Sequence, residues 1–108
     1  MTRKPEVEKK IAEIRRLPEL VRIIHSYFTT EKKKAILMAN VIKKCLDSST
    51  SFSAGACSDL IYLINELLPD WLLILQTSQG VFVKIYQEIV LKSLYDRLEK
   101  CIIKLKAS

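Results

Sequence analysis

The run Trp71-Leu72-Leu73-Ile74-Leu75-Gln76-Thr77-Ser78-Gln79-Gly80-Val81-Phe82-Val83-Lys84-Ile85-Tyr86 decides the fold. Its first part is a short apolar stretch. Thr77 to Gly80 is turn composition. After it Val81, Val83 and Ile85 alternate with Phe82, Lys84 and Tyr86, a period of two. β-Branched and aromatic residues on both sides of a glycine-containing turn predict a β-hairpin. If the segment were helical instead, the chain would be a helical bundle. The switch of period and the position of Gly80 favour the hairpin.

Upstream of the hairpin the period is helical. Cys57, Leu60, Ile61, Ile64, Leu67 and Leu68 form one face of a helix over 53–68, with Ser53 as its cap and Pro69 as its stop. Asp47-Ser48-Ser49-Thr50-Ser51 reads as a loop. Before it, Ile36, Leu37, Met38, Val41, Ile42, Cys45 and Leu46 predict another helix, with Lys43 and Lys44 outside. Leu20, Val21, Ile24, Tyr27 and Phe28 give a core helix over 18–28, which Pro18 opens and Thr29-Thr30-Glu31 closes. Val7, Ile11, Ile14 and Leu17 make a thin stripe on a charged helix over 5–16, opened by Pro5 with Glu6 and Glu8 in its first turn. That stripe suits packing at the rim of the domain, or docking of a partner. Downstream, from about Glu88, Leu91, Leu94, Leu98, Cys101 and Leu105 share one face of a last helix.

The expected class is therefore mostly α with a β-hairpin, a winged helix-turn-helix with extra helices at both ends. The expected division is a flanking helix over 1–16, a winged-helix core over 17–87 and a C-terminal helix over 88–108. At 108 residues and 49% hydrophobic composition, one folded domain with one core is expected.

Composition also excludes functions. There is no GxGxxG or GxxxxGK[ST] pattern, no run near the roughly 20 apolar residues of a membrane helix, and no apolar leader after Met1. One His and three scattered Cys give no zinc spacing, and no metal or cofactor is expected. Cys45, Cys57 and Cys101 lie in apolar runs and read as buried free thiols of a reducing compartment. His25 reads as a boundary residue and Trp71 as a core anchor. No nucleophile, base and orienting acid are gathered, so the chain is not expected to be an enzyme.

The net charge of +6 is unevenly placed. Residues 1–46 carry a net of +7, residues 47–83 a net of −4 without any Lys or Arg, and residues 84–108 a net of +3. A DNA-reading winged helix needs Arg, Lys, Asn or Gln on its recognition helix, with cations beside them for phosphate. Helix 53–68 instead offers Ser53, Ser58, Asp59, Tyr62, Asn65 and Glu66, and the turn Thr77 to Gly80 is uncharged. Sequence-specific DNA reading is not expected. The basic residues of the ends remain. Lys9, Lys10, Arg15, Arg16, Lys32, Lys33 and Lys34 are the candidate partner-binding residues. Such residues often form only a solvated face; the functional readings are protein contact and, after it, nonspecific DNA contact.

An ordered set of short strings carries a family resemblance. Met1-Thr2-Arg3 with Pro5-Glu6, Leu17-Pro18-Glu19-Leu20, Glu31-Lys32-Lys33, Glu66-Leu67-Leu68-Pro69-Asp70-Trp71 and Val83-Lys84 resemble the C-terminal domain of the eukaryotic DNA replication licensing factor. That is the geminin-regulated protein that brings the MCM helicase to origins. The resemblance runs from residue 1 to about 98. It implies a winged helix from a longer nuclear protein that binds MCM and is not an enzyme. It also implies geminin contacts mainly outside this segment. The chain departs from the family pattern at Lys34, where a proline follows the basic pair, and at Ser53-Ala54-Gly55-Ala56, where the pattern is Ser-Pro-Gly-Glu. A monomer with weak or no DNA affinity is the accompanying expectation.

Overall fold

The computed structural model describes residues 4–107. Met1, Thr2 and Arg3 of the resemblance, and Ser108 at the end of the expected last helix, lie outside the described residues. The order is α1 (Pro5–Glu31), β1 (Ala35–Leu37), α2 (Met38–Ser48), α3 (Ala54–Leu67), β2 (Leu72–Thr77), β3 (Gly80–Ile85) and α4 (Leu91–Lys106). The protein is mostly helical α+β, with one antiparallel sheet in the order β1-β3-β2.

The hairpin forms where the period of two begins. Leu72 pairs with Ile85 and Thr77 with Gly80, a register that leaves only Ser78 and Gln79 between the strands. The Thr77 hydroxyl accepts from the Gln79 N–H at 3.1 Å and donates to the Gly80 carbonyl at 3.0 Å. Gly80 has φ +130°, a conformation that disfavours any residue with a Cβ. The Asn65 amide donates to the Leu72 carbonyl at 2.8 Å and ties α3 to the hairpin's first strand. The Ser53 hydroxyl caps α3 by accepting from the Ala56 N–H at 3.2 Å.

Two expectations are corrected. Helices 5–16 and 18–28 are one helix, and Pro18 lies inside it. An interior proline costs about 3 kcal/mol through its missing N–H and its clash with the preceding turn. Ile14, Leu17, Leu20 and Val21, on either side of it, are all fully buried. Each contributes about 1.5–3 kcal/mol, so burial of this continuous face outweighs the local penalty. The second correction is the segment Ala35–Leu37, whose Ile36 and Leu37 periodicity places at the start of a helix. It is a strand, pairing Ala35, Ile36 and Leu37 with Lys84, Val83 and Phe82. Three residues are too few to display a period, and the partner that defines the strand lies far along the chain.

α4 begins three residues later than expected and packs on α1 through the buried Leu94, Leu98 and Ile102. These residues share one core with Ile11, Ile14, Phe28, Trp71 and Val83. Arg97 of α4 grips Asp70, at the entry to the hairpin, with two bonds of 2.7 and 2.8 Å. These bonds hold the Asp70 carboxyl below its usual range and the Arg97 guanidinium above its own. The pair is exposed, so its contribution to stability is below about 1 kcal/mol. Trp71 is fully buried, as expected of a core anchor, and His25 is half-buried, as expected of a boundary residue.

Cys45 of α2 and Cys57 of α3 are buried side by side, and Cys101 is half-buried. Burial, then the neighbouring Cys57, pushes the Cys45 thiol up to about 12. A thiol that reacts as thiolate is thereby silenced at neutral pH. With a thiol reagent at pH 8, Cys101 is expected to label first. Cys45 and Cys57 should follow only at the rate of global unfolding, read by mass spectrometry over time. Equal rates for all three would contradict the packing of α2 on α3.

Candidate partner-binding surface

α3 presents its outer face beside the first half of α1. Asp59, Tyr62 and Glu66 are exposed on it, and Glu13 of α1 lies alongside. The one cation among these neighbours, Lys10, bonds Glu66 at 3.4 Å. This is the face with which a helix-turn-helix protein would enter a DNA groove. Here it is acidic, and carboxylates 59 and 66 would meet phosphate with repulsion. The tip of the hairpin, Ser78 and Gln79, adds no positive charge.

The seven candidate residues are not one patch. α1 rises about 1.5 Å per residue, so Lys9 and Lys32 are roughly 35 Å apart. Lys9, Lys10, Arg15 and Arg16 belong to the first half of the helix. Lys9 and Arg15 are exposed there. Arg16 has internal work: it donates to the Ser51 carbonyl at 2.6 Å and lies 4.8 Å over the Phe52 ring. It anchors the loop before α3.

Lys32, Lys33 and Lys34 follow the other end of α1. Lys32 caps the helix in the left-handed region, φ 55°, its N–H bonding the Phe28 carbonyl at 2.9 Å. The three lysines line one groove with Lys84 of β3, Tyr86 and Glu88. Lys84 was not among the sequence candidates. Its place on the outward phase of 81–86 was legible, but its nearness to Lys33 depends on the β1–β3 pairing. The structure therefore sorts the candidates into two basic groups, one at each end of α1, with an acidic α3 face beside the first.

Comparison with known proteins adds the family. Residues 1–78, well over half of the chain, match the family described as DNA replication factor Cdt1 C-terminal domain. The chain belongs to the Cdt1 C-terminal domain family. Cdt1 of Xenopus laevis is 35% identical over 101 residues, which cover 93% of this chain and 16% of that protein. Cdt1 of Mus musculus is 37% identical over 99 residues, 91% of this chain and 18% of that protein. The chain thus spans about a sixth of the length of the curated relatives it matches. Both relatives are named as DNA replication factors. No helix of the described residues is long and apolar enough to cross a membrane.

Proposed function

We propose that this chain is a non-enzymatic interaction module that binds the MCM replicative helicase in the nucleus and supports its loading at origins during licensing. The observation that carries the reading is the acidic outer face of α3 in a Cdt1-family domain. The helix that would read DNA is of the wrong charge for it, while the candidate cations fall in two groups, in the first half of α1 and just past its end. Opposite charge on a partner speeds encounter and gives the complex a salt dependence. Lys9 and Arg15 are the residues of the first group best placed for such contact, because Lys10 and Arg16 already bond within the domain.

The test titrates the labelled chain with purified C-terminal domains of the MCM subunits, and with a random DNA duplex at moderate salt. One MCM domain is expected to bind. Lys9→Glu with Arg15→Glu, or Lys32→Glu with Lys33→Glu and Lys34→Glu, is expected to weaken it by about tenfold. Circular dichroism should stay unchanged, since these side chains are exposed. Unchanged affinity in both variants would remove the basic groups from the interface. The second reading, nonspecific duplex binding, is favoured only by the lysine groove at 32–34 and 84. It would show as binding to DNA alone, falling steeply with salt.

A further inference from the structure

The sheet has two apolar faces and only one is covered. Alternate strand residues point to opposite sides. Ile36, Leu72, Val83 and Ile85 point to the helices and are buried. The registers put the other set in two rows. Leu37, Phe82 and Leu75 lie directly across from one another over the three strands, and Ala35, Lys84 and Leu73 form the next row. Leu75 is 40% exposed, and Leu37, Leu73 and Phe82 are half-buried. The residues of β2 and β3 that pack against the core from partly buried positions, Ile74 and Val81, belong to the opposite face.

Charge on this face is one-sided. At the hairpin tip are Thr77, Ser78 and Gln79, all uncharged. At the other end, Lys84 points outward with its ammonium 5.2 Å from the Tyr86 ring centre. There the face runs into the groove lined by Lys32, Lys33 and Lys34, whose one acid is Glu88. Four ammonium groups meet a row of Leu, Phe and Leu side chains. Contiguous apolar side chains that the core does not cover mark contact surfaces. A ring of cations at one end selects the sign of what arrives.

We propose that the outer sheet face, Leu37, Leu73, Leu75 and Phe82 with Lys84 and the Lys32–Lys34 groove, docks an acidic amphipathic segment of a partner protein. Its apolar side chains cover the Leu37–Phe82–Leu75 row, and two or more carboxylates at one end reach the lysines. Duplex DNA suits the lysines but leaves the apolar row against water and sugar-phosphate, so a peptide fits the whole surface better. The proposal shares Lys32–Lys34 with one basic group of the MCM reading but does not depend on it, because the apolar row of the sheet is no part of that reading.

The test uses the ¹⁵N-labelled chain and two synthetic helical peptides. One carries Leu and Phe at i, i+3, i+4 and i+7 with glutamates grouped towards one end. The other has glutamine at every glutamate. With the acidic peptide, amide shifts are expected at 32–37, 73–75 and 82–86. The glutamine peptide should bind at least tenfold more weakly. Leu75→Glu and Lys84→Glu should each raise the Kd at least tenfold, and Lys84→Arg should not. Preserved spectral dispersion in both Glu variants shows that the fold is intact. Four outcomes would overturn the proposal: shifts centred on α1 or α3, equal binding of the two peptides, the same-face shifts on simple concentration of the chain (a second copy as occupant), or tighter binding of duplex DNA to this face.

Discussion

Replacing Trp71 by alanine is expected to lower stability by about 3–5 kcal/mol, the range for emptying a buried aromatic site. The ring is fully buried where α3 gives way to the hairpin. Its own backbone holds that junction. The Trp71 N–H bonds the Leu68 carbonyl at 3.0 Å, and the Trp71 carbonyl accepts from Tyr86, just past β3, at 2.9 Å. A domain of this size has about 5–15 kcal/mol in total, so the loss is a large share, and the Tm should fall by more than about 10 °C. Trp71→Phe should cost much less. The Trp71 Nε1 is buried with no hydrogen-bond partner, and an orphaned donor costs about 1–3 kcal/mol. Phenylalanine removes that donor, which offsets part of the cavity it leaves. Urea unfolding followed by circular dichroism measures both variants. A loss within 1 kcal/mol for Trp71→Ala would mean that the ring does not carry the junction.

The double replacement Leu94→Ala with Leu98→Ala is expected to bring the whole domain to the edge of unfolding. Each side chain is buried against α1, and each truncation costs about 2–5 kcal/mol. The two lie one turn apart, so their costs are not strictly additive, but even a partial sum is comparable with the total stability. The form of the transition is the sharper readout. An appended helix would detach on its own and leave a separate, later transition for residues 17–87. A helix that shares the core takes the rest with it in a single step. Helical signal and Trp71 fluorescence should therefore melt together. Two separated transitions would support the expected division at residue 88.

How much of this was readable in advance follows from where each cause lies in the chain. The hairpin and α3 have local causes: a period of two around Gly80, and a Ser53 cap before an apolar stripe. They were legible to within a few residues. The continuity of α1 was not, because the proline rule is local and the burial that overrides it is tertiary. β1 was invisible for the same reason. The identity of the basic residues could be read, but their grouping could not. It depends on the straight run of α1, on Arg16 bonding Ser51, and on a strand pairing that brings Lys84 beside Lys33. The outer sheet face depends on β1 too: without it, Leu37 was a helix residue and Phe82 had no neighbour across the sheet.

The clasp between α1 and α4 joins two helices far apart along the chain. About 60 residues separate the end of α1 from the start of α4, a delay of about 3–12 s at typical rates of translation. Throughout that interval the longest helix lacks the cover that α4 gives to one apolar flank. Folding here cannot proceed in order of synthesis. Of these elements α1 emerges first, and its packing is finished only when α4 arrives.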